Sequence, residues 1–295
     1  MSKKDLPIIF VLDMDKCIVG NTDYLSLYSQ LVDDFIFLNC KHKKLSQEIC
    51  SKIDKDIWKK DIPPYFFRPY LKEFIEEIRK IFPTSEFFIF SLGTRMYVNE
   101  FIPLVEEFID FKFNRPLLTR DDTTTSVSNY IVKEIKGFME QFLKTIKSKY
   151  PKVDLISSQD FIYDNRLIII DDIPEFWLDN PKLVKCSPYE YSPIPIIDSQ
   201  VLKLIKDNKE VITYINKSKN NLLPPNFKQA SPDYIYEDFL MDYHIFQSQL
   251  LRSNYYKNKE AMKDEFFKNL LTSLKPRAKL AKPFTPEFIK TLNKN

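Results

Sequence analysis

Two aspartates, Asp13 and Asp15, follow directly on the five apolar residues 8–12. Such a run is typical of a buried central strand in an α/β sheet, and these sheets carry their ligand chemistry at the carboxyl ends of the strands. Residues two apart on an extended chain point the same way, so the two carboxylates repel each other unless a cation or a proton joins them. The pair therefore predicts a metal or acid–base site, although a turn after a strand also favours aspartate.

Hydroxyl groups follow a second apolar run. Residues 87–90 have the pattern of another buried strand. Ser91 stands at its end, and Thr94 precedes a predicted helix over 97–108. Hydroxyls beside a helix N-terminus can contact phosphate or another oxyanion, but serine and threonine also cap helices. Both interpretations of Ser91 and Thr94 stay open on this evidence.

A third apolar run, residues 167–170, ends in Asp171 and Asp172. Two adjacent acids there need a counter-charge. Because the three runs alternate with helical segments, we expect a parallel sheet whose strand ends share one edge and bring the polar groups together. Between the second and third runs, Lys133 is the best-placed cation to neutralise the charge of a transferred phosphate.

The composition narrows the class of protein. The chain has 295 residues, 44% of them hydrophobic, which allows one full core and an appended unit. Its net charge of +3 does not indicate nucleic-acid or membrane binding, and we find no membrane span or signal peptide. We expect a soluble, intracellular protein, in the nucleus or the cytoplasm, whose four cysteines are reduced thiols.

The remaining patterns give the domain organisation. Residues 21–64 are mixed and basic and end in a proline pair, which indicates a cap or insertion. Residues 70–81 carry one apolar stripe and predict an amphipathic helix. We expect a first domain over 1–195, with insertions near 21–64 and 137–165, and an α-helical extension over 196–295. The predicted helices of that extension are 201–215, 233–251, 259–274 and 286–292.

Taken together, residues 7–195 resemble the haloacid dehalogenase superfamily. Within it they are similar to the phosphatases that act on the C-terminal domain of RNA polymerase II, both the TFIIF-associated and the NLI-interacting-factor kinds. The matching segments, in chain order, are Asp13-Met-Asp15-Lys-Cys17, Phe67-Arg68-Pro69, Phe90-Ser91-Leu-Gly93-Thr-Arg95-Met-Tyr97, Leu118-Thr-Arg120-Asp121, Tyr130-Ile-Val-Lys133, Asp171-Asp172 with Trp177, and 180–191.

The resemblance implies a Rossmann-like fold, an activity and a set of site residues. Asp13 would be the nucleophile and Asp15 the general acid and base. Ser91 and Lys133 would hold the phosphate oxygens, and Asp171 would orient Lys133. Mg²⁺ would be bound by the Asp13 carboxylate, the Asp15 backbone carbonyl and Asp172. The implied substrate contacts are Arg68, Arg120 and Thr94, although surface ion pairs are the commoner fate of such arginines.

Two departures from the family pattern concern the site itself. Cys17 replaces a threonine, which predicts the loss of a hydrogen bond in the loop after the first strand. Ile173 stands where the larger phosphatases have an arginine, which affects substrate recognition at that rim.

Three functions stay open on the sequence. The intact set of site residues favours a phosphatase acting on phosphoserine or phosphothreonine of a protein, such as the RNA polymerase II C-terminal domain. A scaffold or binding subunit of a transcription-related assembly is the first alternative, because function resides in sites and not in folds. A phosphatase of nucleic acids or small molecules is the second.

Overall fold

The computed structural model describes residues 3–21, 62, 64–125, 131–178, 180–191 and 257–294. The chain forms two compact units. The first contains Met1–Gly20, Tyr65–Tyr191 and Ala261–Asn295, and the second contains Asn21–Pro64 and Ser192–Glu260. Almost all of the second unit lies outside the described residues, and so do Cys40, Cys50 and the predicted helices over 201–215 and 233–251.

Six strands are described in the first unit. They are β1 Ile8–Leu12, β2 Ser85–Ile89, β3 Thr124–Thr125, β4 Ile131–Val132, β5 Leu167–Asp171 and β6 Leu183–Lys185. Four of them form a parallel sheet in the order β2-β1-β5-β6, whereas β3 and β4 form a short antiparallel pair. The apolar runs of β1 and β5 are buried throughout, as parallel strands covered on both faces require.

The register of the sheet brings the strand ends level. Leu12, the last residue of β1, pairs with Ile89 on one side and with Ile170 on the other. Beyond that row, the Asp13 amide donates to the Ile170 carbonyl at 2.9 Å. The polar residues that follow the three strands therefore meet at one edge, which confirms the parallel arrangement predicted from the sequence.

Helices cover both faces of the sheet. They are α1 Leu71–Ile81, α2 Arg95–Ile109, α3 Met139–Ile146, α4 Gln159–Arg166, α5 Phe266–Leu274 and α6 Pro286–Leu292. On one face, Phe10 of β1 contacts Phe74 of α1 at 6.0 Å between ring centroids. On the other, Phe88 of β2 stacks on Phe142 of α3 at 3.9 Å. The predicted α/β class with helices on both faces is confirmed, and no described helix could cross a membrane.

Local sequence explains how helices α1 and α2 begin and which residues α1 buries. Helix α1 buries the predicted apolar stripe, formed by Leu71, Phe74, Ile75 and Ile78, and follows Tyr70, which adopts a left-handed conformation at the N-cap. Thr94 precedes helix α2 as its N-cap, and its hydroxyl accepts from the Tyr97 amide at 3.4 Å. That contact is the helix cap that threonine commonly provides.

The last 35 residues belong to the same compact unit as the sheet. Arg68, which is 1% exposed, pairs with Asp264 through two hydrogen bonds of 2.8 and 2.9 Å. Phe267 of α5 packs on Phe74 of α1, and the buried Phe284 packs edge-on against Phe10 of β1. This segment therefore contributes to the core, while the proposed domain boundary near residue 195 stays a prediction.

Candidate active site

The loop after β1 fixes the two predicted aspartates. Lys16 adopts a left-handed conformation with φ of 57° and reverses the chain after Asp15. The amides of residues 17, 18 and 19 then all donate to the Met14 carbonyl, at 3.0–3.3 Å. Asp13 is buried and Asp15 is half-buried, so the tight loop presents one carboxylate inside the site and the other near its mouth.

Lys133 lies between two of the predicted carboxylates. Its ammonium nitrogen is 2.6 Å from Asp13 Oδ1 and 2.6 Å from Asp171 Oδ2. The backbone amide of Lys133 donates to the Phe176 carbonyl at 2.7 Å, so the lysine is anchored next to β4 at both its main chain and its side chain. A lysine that is 2% exposed is tolerated only with such partners.

Asp171 is held from two further directions. Its Oδ2 accepts from the Trp177 indole nitrogen at 2.8 Å, and its Oδ1 accepts from the Ile173 amide at 2.8 Å. These bonds, together with that from Lys133, fix the carboxylate completely. Asp171 therefore contacts Lys133 from a fixed position, and the orienting function that the family resemblance implies for it stays a prediction.

The electrostatics of the cluster favour added positive charge. Burial, and then the nearby Asp171, raises the pKa of Asp13 well above its usual value, and Lys133 only partly offsets this. Burial alone would lower the pKa of Lys133, but Asp13 and Asp171 outweigh it, so that pKa is raised. The single positive charge of Lys133 is therefore too small to neutralise the neighbouring carboxylates of Asp13, Asp171 and Asp172.

The residues fit a divalent cation. Carboxylate oxygens of Asp13, Asp171 and Asp172 all lie within 4.8 Å of one another. Asp172 Oδ1 is buried and has no hydrogen-bond partner among the described residues. Burial, and then Asp171, raises the pKa of Asp172 to about 6. An all-oxygen cluster with an unsatisfied buried oxygen is the donor set that Mg²⁺ prefers.

Ser91 lies at the same sheet edge, and Thr94 follows it at the start of α2. The Ser91 hydroxyl is buried and accepts from the Gly93 amide at 3.0 Å, which leaves its own proton for donation. Thr94 is exposed, and its hydroxyl is occupied in capping α2. The phosphate contact by Ser91 and substrate binding by Thr94 both stay predictions.

The two arginines predicted as substrate contacts differ in their surroundings. Arg68 is buried, bound to Asp264 and to the Cys17 carbonyl, and its placement is that of a structural ion pair. Arg120 is exposed, and its Nε donates to the Leu92 carbonyl in the loop that follows β2. Arg120 therefore stays a candidate for the rim of the site, and Arg68 is reassigned to the core.

Cys17 makes a hydrogen bond where its loss was expected. Its thiol donates to the Ile170 carbonyl of β5 at 3.5 Å, a weak bond that still ties the loop to the neighbouring strand. Its sulfur also lies 3.7 Å from that of Cys186, and both thiols are free and buried. The two cysteines pack the space behind the loop.

Ile173, the second departure, directs its side chain away from the core. It is 40% exposed, while its backbone amide holds Asp171. The main chain at this position therefore supports the site, and the rim carries an apolar group where an arginine was expected.

Two residues of the site had no function assigned from the sequence. Trp177 holds Asp171, and Tyr97 donates its hydroxyl to Asp15 Oδ1 at 2.7 Å. Both belong to segments that match the family pattern, and this match was the sign in the sequence that they could belong to the site. Their partners could not be inferred, because each contact joins elements that only the fold brings together.

The arrangement can bind and transfer an anionic group. A buried carboxylate at a strand end, a lysine beside it and an oxygen-rich cation site are the parts that phosphoryl transfer uses. A second, half-buried carboxylate, Asp15, stands two residues away and can carry a proton.

Comparison with known proteins supports this chemistry. The model of the NLI interacting factor-like phosphatase family matches residues 8–219. A search of curated proteins finds no match.

Two solved structures are similar to the chain. One is the fission yeast RNA polymerase II CTD phosphatase Fcp1, as a variant bound to beryllium fluoride, with 20% identity over 77% of this chain and 54% of that one and a TM-score of 0.34. The other is Fcp1, described as an essential RNA polymerase II CTD phosphatase, with 20% identity over 78% of this chain and 56% of that one and a TM-score of 0.34. The chain thus spans little more than half the length of either.

Proposed function

The chain belongs to the NLI interacting factor-like phosphatases, and from that premise we propose that it is a Mg²⁺-dependent phosphatase of phosphoserine or phosphothreonine in proteins. The observation that carries the proposal is the position of Lys133, 2.6 Å from both Asp13 and Asp171, beside the unpartnered Asp172 oxygen. Three carboxylates beside one lysine leave an excess of negative charge, and a bound cation would neutralise it.

The reaction divides into two steps. In the first, an Asp13 carboxylate oxygen attacks phosphorus, the bond from phosphorus to the serine or threonine oxygen breaks, and Asp15 gives its proton to that leaving oxygen. In the second, Asp15 takes a proton from water, which attacks the phosphoaspartate. Phosphate then leaves and the Asp13 carboxylate is restored.

The other groups of the site would stabilise the negative charge of the phosphate. Lys133 and the Ser91 hydroxyl would stabilise the phosphate oxygens, and Asp171 holds Lys133 in place. Asp13, Asp172 and the backbone carbonyl of Asp15 would hold Mg²⁺, which supplies further neutralisation of the phosphate charge. Because Asp171 is bonded to Lys133, Trp177 and Ile173, it would act through the lysine.

A phosphoprotein is the substrate class that the family suggests. Arg120 and Thr94 lie exposed near the start of α2, where a peptide that carries the phosphate would pass. The exposed Ile173 adds an apolar group to the site surroundings. The C-terminal domain of RNA polymerase II, and with it the transcription machinery, is the candidate substrate that follows from the resemblance of the motifs.

A panel assay tests the proposal. Purified protein is mixed with phosphoserine peptides, phosphothreonine peptides, nucleoside 3′-phosphates and small sugar phosphates, each with Mg²⁺ or with EDTA, and released phosphate is measured. We expect release from the phosphopeptides with Mg²⁺ and none with EDTA. Release mainly from nucleotides or sugars would reassign the substrate, and no release from any compound would favour a scaffold.

Mg²⁺ should also stabilise the fold. Binding only the folded state adds about 2.7 kcal/mol at a hundred times Kd, or on the order of 5–10 °C in Tm for a domain of this size. Because burial raises the pKa of Asp172 to about 6, the folded protein loses stability as the pH rises from about 4 to about 6. The loss is complete above that range, where the carboxylate is ionised and able to bind Mg²⁺. The Mg²⁺-induced shift in Tm should therefore be larger at pH 7.5 than at pH 5.

The control for this titration is Asp172→Asn, which removes the unpartnered carboxylate and should reduce the Mg²⁺-induced shift in Tm to near zero. Asp121→Asn, which changes an exposed carboxylate paired with Arg95, should keep the full shift. Equal shifts in both variants would show that Mg²⁺ binds elsewhere.

A further inference from the structure

Tyr97 bonds directly to the proposed general acid. Its hydroxyl donates to Asp15 Oδ1 at 2.7 Å, the length of a strong bond between a hydroxyl and a carboxylate. Tyr97 lies in the first turn of α2, whereas Asp15 lies in the loop after β1, so the bond joins two elements of the site. Both side chains are half-buried.

Two neighbouring residues restrict the position of the Tyr97 ring. A Cβ atom placed on Gly93 would lie 2.6 Å from a ring carbon of Tyr97, so the glycine at this position leaves the room that the ring occupies. Gly93 does not have a positive φ, and therefore space, not backbone freedom, explains the residue. The ring also contacts Phe101, at 5.6 Å between centroids.

The first turn of α2 is fixed in the same way. The Thr94 hydroxyl accepts from the Tyr97 amide, which holds the main chain of the tyrosine, while Gly93 and Phe101 restrict its ring. A side chain held at both ends can direct its hydroxyl to one atom of its partner.

The bond distinguishes the two oxygens of Asp15. In a neutral carboxyl group the carbonyl oxygen is the better acceptor, so a donor at Oδ1 favours the proton on Oδ2. Oδ2 is then the atom that passes a proton to the leaving oxygen and takes one from water. We infer that Tyr97 is a positioning residue for Asp15, which rests on the proposed two-step phosphatase reaction.

Leaving groups of graded acidity test this inference. The substrates are para-substituted phenyl phosphates of similar size, from unsubstituted phenyl to para-nitrophenyl, and kcat/KM reports the steps up to the first phosphoryl transfer. Para-nitrophenolate departs without a proton, whereas phenolate needs one. Tyr97→Phe should lower kcat/KM about tenfold or more for phenyl phosphate and less than about threefold for para-nitrophenyl phosphate.

Two further variants separate positioning from general structural support. Tyr150→Phe is the matched control, because it removes a tyrosine hydroxyl that also contacts a carboxylate, Glu86, but at the opposite end of the strands. It should leave the leaving-group dependence unchanged. Gly93→Ala keeps the Tyr97 hydroxyl but displaces its ring, and should reproduce the pattern of Tyr97→Phe.

A double-mutant cycle completes the test. Asp15→Asn should lower kcat/KM for phenyl phosphate about 10²–10⁴-fold, and adding Tyr97→Phe to it should cost less than about twofold more. Equal losses on all substrates, or full additivity in the cycle, would overturn the inference while wild-type turnover leaves the proposed function standing. A wild-type protein that releases phosphate from no substrate would overturn both.

Discussion

Replacing Asp13 with asparagine is expected to lower phosphate release about 10⁴-fold or more. Asparagine keeps the size of the side chain but loses the attacking carboxylate oxygen. The fold should persist, because Asp13 is one of several crowded carboxylates and its pKa is already raised by burial and by Asp171. The free energy of unfolding should change by less than about 1 kcal/mol.

The control for this substitution is Asp121→Asn, which makes the same chemical change at an exposed carboxylate. Turnover by this variant should stay within about threefold of the wild type, since surface pairs of this kind contribute little. If folded Asp13→Asn protein kept phosphatase activity within tenfold of the wild type, the assignment of the nucleophile would be wrong.

Replacing Lys133 with methionine should affect both stability and activity. Methionine has a similar length but no charge, so Asp13 and Asp171 would lose the ammonium that lies 2.6 Å from each. Removing one partner from a buried ion pair costs about 3–5 kcal/mol, measurable as a lower free energy of unfolding in urea. Turnover should fall at least about 10²-fold, because the phosphate oxygens lose a charged partner.

The pH dependence of the stability loss in Lys133→Met shows whether the loss comes from the uncompensated carboxylates. Without the lysine, Asp13 can become neutral by taking up a proton, so the loss of stability should be smaller at pH 4.5 than at pH 7.5. Lys144→Met, at an exposed lysine paired with Glu140 on α3, should cost less than about 0.5 kcal/mol at both values. A Lys133→Met protein as stable as this control would contradict the buried charge cluster.

The sheet and its acidic edge could be predicted because the signals are local. Five apolar residues that end in Asp13 and Asp15 specify a buried strand and its polar end without reference to the rest of the chain. The same holds for the run before Asp171. Parallel pairing then follows from the alternation of strands and helices, so the meeting of these groups was predictable although their distances were not.

Contacts between distant segments could not be predicted in this way. Arg68 has the position of a rim arginine in the family pattern, but its partner Asp264 lies 196 residues along the chain. Nothing near either residue marks the pair. The same reason explains Tyr97, whose bond to Asp15 spans 82 residues and depends on the space left by Gly93.

Cys17, which replaces the threonine of the family pattern, shows how packing can compensate for a substitution. From the family pattern, Cys17 predicted a lost hydrogen bond, because a thiol is a weaker donor than a hydroxyl. The structure instead places its sulfur near the Ile170 carbonyl and against Cys186. A partner 169 residues away supplies the apolar contact that makes a buried thiol acceptable.

The covalent intermediate on Asp13 is the central claim, and an acid-quenched burst experiment tests it most directly. Asp15→Asn protein is mixed with para-nitrophenyl phosphate and Mg²⁺, because this leaving group needs no proton, whereas the attack of water on the phosphoaspartate needs the missing base. We predict a burst of about one equivalent of para-nitrophenolate per site and a phosphorylated peptide that contains Asp13 in the mass spectrum. Turnover by the wild type with neither a burst nor a phosphorylated Asp13 in the variant would contradict the account.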